Sequence, residues 1–297
     1  MTARENYLAQ KKRREDRIKN DPMFKVFMNQ EKRWVEPFRI FGNVYYVGDS
    51  WVCVHLIDTG DGLLLIDCGN CGNTAMLVKA ICDLGFRPDD VKWIILSHGH
   101  VDHVGGAVWF RNMFGTKLYL GEPDAVMFRE KPEFSFIQDS TDFLDDVFEP
   151  DVCIREGDIL TFGNVTIRCY LVPGHTEGCV ALFFDGEEDG RKVHFGYYGG
   201  FGFNTLTKAH LDEYGDTGHL MWERYAESID KVADMPVDIF LGNHTENNRF
   251  FEKLDTMKQT GSRECFIDST EWKSYLLAKK EELKAFVEKQ KALNEIN

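Results

Sequence analysis

The side chains best suited to chemistry lie in the segment 97–103, which reads Ser-His-Gly-His-Val-Asp-His. Three imidazoles and one carboxylate occur there within six residues, directly after an apolar run at 93–96 that predicts a strand. Histidines two apart in an extended loop can point the same way, so His98 and His100 can hold one ion while Asp102 and His103 face a neighbouring ion. These ligand types suit zinc, and iron or manganese fits the same set. The alternative, a polar surface loop, is disfavoured by this order of residue types.

The same segment resembles the signature motif of the metallo-β-lactamase superfamily, and the resemblance covers about residues 38–250. Asp67 resembles the acid of the family's first motif, which buttresses the metal loop. His175, after Val-Pro-Gly, resembles a ligand that follows a strand, and His244, after Leu-Gly-Asn, resembles the last histidine ligand. The resemblance implies an α/β fold of the α+β type, a four-layer αββα sandwich, with extra helices at both termini.

One departure from the family pattern narrows the resemblance. Many members supply a metal-bridging Asp or Cys between the third motif and the last histidine, but the segment 193–201 contains neither. Glyoxalase-II-type, lactonase-type and tRNA-processing members normally depend on that bridge, so the chain is most similar to the third subclass of metallo-β-lactamases. That resemblance implies two zinc ions, one held by His98, His100 and His175 and the other by Asp102, His103 and His244.

The implied activity is hydrolysis of a cyclic amide or ester, with a β-lactam as the named candidate. A metal-bound hydroxide, formed because paired zinc lowers the pKa of water towards ~7, would attack the carbonyl, and Asp102 would orient it as the catalytic residue. Two other activities stay open: an iron-dependent oxidoreductase of the same fold, and hydrolysis of a different ester or thioester. A non-catalytic metal-binding protein is a further alternative, which the complete set of six ligands disfavours.

The order of elements supports this architecture. Two successive blocks of short β-rich runs, each followed by helical patterns, indicate two stacked sheets with helices outside. We expect a helical N-terminal extension over residues 1–36, a catalytic domain over 37–268 and a C-terminal helix over 269–297 that packs on the same domain.

Composition limits the partners. The net charge of −14 disfavours nucleic acid, and no run approaches the ~20 apolar residues that a membrane span needs. The first thirty residues lack the apolar core of a secretory signal, and eight cysteines show no framework spacing. The sequence therefore predicts a cytoplasmic protein with a small-molecule substrate, without nucleic acid or membrane partners, and it leaves a homo-oligomer open.

Other residues that could take part in chemistry are weaker candidates for the functional site. His55 is expected to be packed in a strand, and His210 and His219 to lie solvated in a polar loop, while His194 has a small chance of reaching the site. Cys68 and Cys71 form a Cys-x-x-Cys pair between strand and helix, which is where redox proteins place such pairs. The aromatic residues at 197, 198, 201 and 203 form either a substrate wall or sheet packing.

Overall fold

The computed structural model describes residues 2–20, 30–139 and 146–293. Seven strands form the first sheet in sequential order, antiparallel from the first to the fourth and parallel from there to the seventh. These strands are β1 (Phe38–Phe41), β2 (Val44–Tyr46), β3 (His55–Asp58), β4 (Leu63–Ile66), β5 (Val91–Ile95), β6 (Lys117–Gly121) and β7 (Val152–Ile154). All four residues of β4 are buried, as expected for a continuous apolar run in a central strand.

The second sheet has five strands in the order β12-β11-β10-β9-β8. They are β8 (Ile159–Phe162), β9 (Val165–Leu171), β10 (Val180–Glu188), β11 (Arg191–Tyr198) and β12 (Ile239–Leu241), and only the β11–β12 pair is parallel. Buried and exposed residues alternate along the first part of β9, so one of its faces meets the core.

Ten α-helices accompany the sheets within the described residues. They are α1 (Ala3–Asn20), α2 (Gln30–Arg33), α3 (Thr74–Asp83), α4 (Val101–Val104), α5 (Ala107–Phe114), α6 (Glu122–Glu130), α7 (Lys208–Tyr214), α8 (Leu220–Ala233), α9 (Phe250–Thr260) and α10 (Glu271–Ala292). No helix in the described ranges is both long and apolar enough to cross a lipid bilayer.

Three apolar clusters make the layers. One lies between the two sheets and draws residues such as Ile66 and Ile167 from both. The second joins the outer face of the first sheet to α3 and α5, where Leu77, Ala80 and Ile81 form a helical stripe. The third joins the outer face of the second sheet to α8 and α10. The predicted four-layer αββα sandwich is therefore confirmed.

Segments on either side of the two sheets in sequence pack on this sandwich. Arg33, the last residue of α2, and Val35 are buried, whereas the described side chains of α1 are exposed. In α10, Trp272, Leu276 and Leu283 are buried in the third cluster, and Trp272 Nε1 donates to the carbonyl of Val232 at 2.9 Å.

The segment 52–54, whose apolar residues favour a strand, lies between residues 47–49 and the neighbourhood of His244 and bonds to both. Val52 forms an isolated antiparallel bridge with His244, and Cys53 N donates to Asn243 O at 2.9 Å. The strand β3 consequently begins only at His55. This loop ties the first sheet to the end of β12.

Candidate metal centre

Three loops deliver the predicted ligands, each directly after a strand. His98 and His100 follow β5, and Asp102 and His103 lie on the short helix α4. His175 follows β9, and His244 follows β12. The C-terminal ends of β5, β9 and β12, from two stacked sheets, meet at one edge of the sandwich. This brings together residues up to 146 positions apart (98 to 244).

The first ligand group contains His98, His100 and His175. One ligand atom from each of these side chains lies within 4.8 Å of the others. His100 Nδ1 is 2.9 Å from His175 Nε2. Nitrogen atoms that converge in this way can hold one metal ion.

The second ligand group contains Asp102, His103 and His244. Asp102 Oδ2 lies 3.4 Å from His103 Nε2 and 3.5 Å from His244 Nε2, and the two Nε2 atoms are 3.2 Å apart. His98 also offers a ligand atom within 4.8 Å of Asp102 and His103. The two groups therefore adjoin at His98, which the sequence interpretation assigned to the first group alone.

Hydrogen bonds to the Nδ1 atoms indicate which ring nitrogen is free to bind metal. His103 Nδ1 lies 2.7 Å from Asp67 Oδ2, His175 Nδ1 lies 2.9 Å from Gly202 O, and His244 Nδ1 lies 3.1 Å from Trp51 O. An oxygen of a carbonyl or a carboxylate only accepts, so each Nδ1 carries a proton, and Nε2 is the nitrogen that remains for a metal ion. A partner of this kind on the distal nitrogen is characteristic of metal-binding histidines.

His98 reaches the same state through Ser97. The Ser97 hydroxyl donates to Asp67 Oδ2 at 2.9 Å, so it accepts from His98 Nδ1, also at 2.9 Å. His98 Nε2 is buried and has no hydrogen-bond partner among the residues that the structure describes. A buried nitrogen with an unused lone pair, aimed among other ligands, fits a metal ion.

Asp67 supports the loop as its motif predicted. Its buried carboxylate accepts from Ser97 N at 2.7 Å and from the Tyr197 hydroxyl at 2.5 Å, besides the bonds from the Ser97 hydroxyl and His103. Its φ of 62° lies in the left-handed region, where Asp is one of the better tolerated residues. This conformation turns the side chain under the metal loop.

Asp124 is a supporting residue that the sequence interpretation missed. This buried carboxylate on α6 accepts from Gly99 N at 2.7 Å, the Thr176 hydroxyl at 2.8 Å and Gly178 N at 2.8 Å. It thereby fastens the loop of His98 and His100 to the loop of His175. Burial raises its pKa to about 6. Its sequence context, Gly-Glu-Pro-Asp at a helix start, resembles an ordinary cap and gave no signal of this role.

The electrostatics of the cluster favour metal ligation by His98, His100 and His175. Burial lowers the pKa of His98 and of His100 well below the usual value and that of His175 to about 4, so these rings stay neutral near pH 7. His103 differs: burial lowers its pKa, but Asp102 and Asp67 outweigh this effect and raise it to about 10. Asp102 is likewise penalised by burial, yet the surrounding histidines lower its pKa, so it is ionised.

A cleft of about 620 Å³ opens onto both ligand groups. His100, Asp102, His175 and His244 lie in its lining. The walls add apolar and polar side chains from both halves of the chain: Trp51, Phe136, Phe201, Phe203, Asn204, Asn243, Glu246, Asn247, Lys279 and Glu282. A small organic molecule fits a cleft of this size.

The remaining histidines lie outside the two groups. His55 is buried with Nε2 2.9 Å from Gly242 O, as expected for a packed residue. His194 is exposed and pairs with Asp185 at 2.6 Å, so it does not reach the site. His210 and His219 were expected to be solvated in a loop; instead His210 lies on α7 against the ring of Phe134, and His219 bonds to Asp212 at 2.9 Å.

The structure also shows where Cys68 and the aromatic residues between 197 and 203 lie. Cys68 is buried, and its thiol donates to His103 O at 3.2 Å, while the side chain of Cys71 lies outside the described residues. Phe201 and Phe203 line the cleft, whereas Tyr197 and Tyr198 are fully buried beneath it. The aromatic segment therefore serves both as wall and as packing.

Comparison with known proteins places these observations in a family. The family model described as Metallo-beta-lactamase superfamily matches residues 52–190. The structure of a subclass B3 metallo-β-lactamase of Bradyrhizobium japonicum superposes with a TM-score of 0.78 and 27% identity, over 90% of this chain and 98% of that one. The native metallo-β-lactamase of Legionella gormanii gives 0.77 and 26%, over 88% and 98%.

Curated sequences give shorter matches. A hydroxyacylglutathione hydrolase of Haemophilus influenzae is 30% identical over 145 residues, 48% of this chain and 63% of that protein. The chain spans about half the length of the curated relatives it matches, from 46% to 63% for three of them. The relatives named above are two metallo-β-lactamases and a hydroxyacylglutathione hydrolase, which agrees with the predicted enzyme class. In its fold, its motif and these matches, the chain is similar to the metallo-β-lactamase superfamily, and its architecture is similar to that of a subclass B3 enzyme.

Proposed function

We propose that this protein is a zinc-dependent hydrolase that opens a cyclic amide or ester, with a β-lactam as the first candidate substrate. The observation that carries the proposal is the convergence of six side chains, in two adjoining groups, at a cleft large enough for a small molecule. The groups are His98, His100 and His175, and Asp102, His103 and His244.

The donor set fits two zinc ions. Five imidazoles and one carboxylate are ligands that zinc prefers, and the unpartnered Nε2 of His98 supplies a lone pair without any other use. The same donors can also bind iron or manganese. Zinc bound in such a site supplies water that is activated near neutral pH and positive charge that stabilises a developing anion.

The chain's own residues would bind and orient the reactants. Asp102 is ionised, lines the cleft and is 15% exposed, so its carboxylate can accept a hydrogen bond from the attacking water and hold its direction. Asp67 and the backbone carbonyls of Trp51 and Gly202 keep the ligand rings in their metal-binding tautomers. Trp51, Phe136 and Phe201 cover the cleft with apolar surface and thereby limit competing water.

Two features support a β-lactam over other carbonyl compounds. The superposition with subclass B3 enzymes extends over about nine tenths of the chain. The strand β11 and the residues after it supply no bridging Asp or Cys, which agrees with that subclass. The similarity to a hydroxyacylglutathione hydrolase makes a thioester the second candidate.

The experiment loads the purified protein with zinc, counts the ions by mass spectrometry, and assays nitrocefin, an N-acyl homoserine lactone and a hydroxyacyl thioester. We expect two zinc ions per chain and turnover of nitrocefin that His100→Ala reduces at least 100-fold. His194→Ala is the matched control, because His194 is exposed and pairs only with Asp185 among the contacts described. Turnover of the thioester alone would replace the β-lactam by the second candidate, and iron with oxygen consumption would overturn hydrolysis altogether.

The cysteines support a reducing compartment, and we place the protein in the cytoplasm. All cysteines with described side chains are free thiols, and four of them, Cys53, Cys68, Cys169 and Cys179, are buried. Exported proteins more often join such residues in disulfides. Fractionation of the source cells tests this location, and recovery in an extracellular or periplasmic fraction would contradict it.

A further inference from the structure

The charge of the cleft lining is uneven. Its described acidic residues are Asp102, Glu246 and Glu282. Its described imidazoles, those of His100, His175 and His244, all belong to the two ligand groups. Among the described residues of the lining, Lys279 carries the one side chain that is permanently cationic at neutral pH. This lysine comes from helix α10, outside the segment that the family model matches.

The side chain of Lys279 is held in place before any ligand arrives. Its ammonium lies 5.3 Å from the ring centroid of Phe203 and 5.6 Å from that of Tyr275. Only 18% of the side chain is exposed, although lysine is ordinarily one of the most exposed residues. Much of the rotamer freedom that a lysine loses on binding an anion is therefore already lost.

The partner of Lys279 can be replaced. Glu282, one helical turn further on, lies 2.7 Å from the ammonium and is 58% exposed. An ion pair with so exposed a carboxylate contributes little, because water solvates the glutamate almost as well. A ligand carboxylate that enters the cleft can take the place of Glu282 or share the three N–H donors of the ammonium.

We propose that Lys279 binds a carboxylate of the substrate and that the protein therefore prefers carbonyl compounds that carry a negative charge over neutral esters and amides. This inference rests on the proposed hydrolysis in the same cleft. Lys279 acts as a specificity-determining residue: it anchors the anion through a charge-assisted hydrogen bond while the scissile carbonyl lies at the metal ligands. The Lys279–Glu282 pair sets how strongly that anion is held.

The kinetic test compares a chromogenic cephalosporin bearing a free carboxylate with the methyl ester of the same compound. Wild-type protein, Lys279→Met, Lys279→Arg and Glu282→Gln are assayed. We expect Lys279→Met to raise the ratio of acid KM to ester KM about tenfold, the factor that a charge-assisted hydrogen bond supplies. Lys279→Arg should keep the ratio of acid KM to ester KM close to the wild-type value, because arginine retains the positive charge. Glu282→Gln should lower the ratio, because it removes the competing carboxylate. Lys280→Met is the matched control, since Lys280 pairs with Asp230 and does not line the cleft.

A binding test separates this inference from the proposed function. Calorimetry measures the affinity of 2-benzyl-3-mercaptopropanoic acid and of its methyl ester for the zinc-loaded protein, and neither needs to be turned over. A preference for the acid that Lys279→Met abolishes supports the inference even where no cephalosporin is hydrolysed. Equal affinities of acid and ester, or a preference that survives Lys279→Met, would overturn it whatever the hydrolase assays give.

Discussion

The two ligand groups are built from the same kinds of side chain but are supported by different parts of the fold. The first group, His98, His100 and His175, is joined by Asp124, which bonds to Gly99 on one loop and to Thr176 and Gly178 on the other. The second group depends on His244, whose Nδ1 bonds to Trp51 O in a loop that the N-terminal segment holds. Among the described acids, Asp67 alone supports both groups, through Ser97 to His98 and directly to His103.

The support of the second group begins at Arg33. This buried guanidinium lies 2.7 Å from Asp49 Oδ2, and Asp49 Oδ1 accepts from Trp51 N at 2.7 Å and Val52 N at 2.8 Å. Asn73 donates to the same carboxylate at 2.6 Å. The chain thus uses a separate buried acid for each ligand group, and a change at one acid should weaken one group more than the other.

The largest effect is expected from Asp67→Asn, because it reaches both groups. Asn tolerates the left-handed backbone at this position, so the change removes charge and one acceptor while the turn persists. The amide would face several donors, and we expect the affinity of both zinc ions to fall roughly 10- to 100-fold. Competition with a chromogenic chelator measures both sites. Asp61→Asn, an exposed partner of Lys92, is the control, and two tightly held ions in Asp67→Asn would refute the shared support.

Asp124→Asn should divide the groups. Oδ2 joins the two loops by accepting from Gly99 N and the Thr176 hydroxyl, and Oδ1 accepts from Gly178 N, whereas an amide can accept on one side only. At pH 8 the native carboxyl is ionised, since burial raises its pKa only to about 6. We expect about tenfold weaker binding at the first group and little change at the second. Chelator competition together with zinc-edge anomalous scattering assigns the ion that is lost.

The exposed Glu122 lies on the same helix, so Glu122→Gln controls for changes in the charge of α6. Equal weakening at both groups after Asp124→Asn would mean that the two groups behave as one unit, against the comparison drawn above.

Sequence patterns predicted the layers and singled out the candidate ligands, but they gave no sign of these supports. His98, His100, Asp102 and His103 are adjacent in sequence, so their types and spacing alone indicate metal chemistry. The contribution of Asp124 depends on contacts 25 and 52 residues away, to Gly99 and Thr176, which no local periodicity encodes. Arg33 likewise fell within the predicted N-terminal extension, residues 1–36, because only the tertiary fold buries it against Asp49.

The strand at 52–57 teaches the same lesson. Its apolar, β-branched residues favour a strand, and residues 55–57 do pair with β2. Val52 and Val54 accept backbone hydrogen bonds from Asp49 N and Val47 N, but Val52 also bridges to His244, far away in the sequence. The long-range pairing of Val52 with His244 fixes the position of this segment, and strand propensity alone does not predict that pairing.

Arg33→Met tests the support of the second group and should have a smaller effect than Asp124→Asn. It leaves three of the donors to Asp49 in place, Trp51 N, Val52 N and Asn73, so the loop loosens without collapsing. We expect weaker zinc binding at the second group by less than the roughly tenfold that follows loss of a direct ligand partner. Isothermal titration with zinc, with Arg33→Lys as the conservative variant, measures it. Weakening confined to the first group would reverse the assignment.

The smallest effect is expected from Tyr197→Phe. Its hydroxyl is one of four donors to Asp67, at 2.5 Å, and the other three come from the metal loop itself. Because Ser97 and His103 keep the carboxylate in position, zinc affinity at both groups should stay within about twofold, while the lost buried hydrogen bond lowers the free energy of unfolding by about 1 kcal/mol. Chelator competition and chemical denaturation of the same preparation separate the two quantities. If zinc affinity fell as far as in Asp67→Asn, the position of Asp67 would depend on the second sheet through Tyr197, and the shared support would belong to β11 rather than to the metal loop.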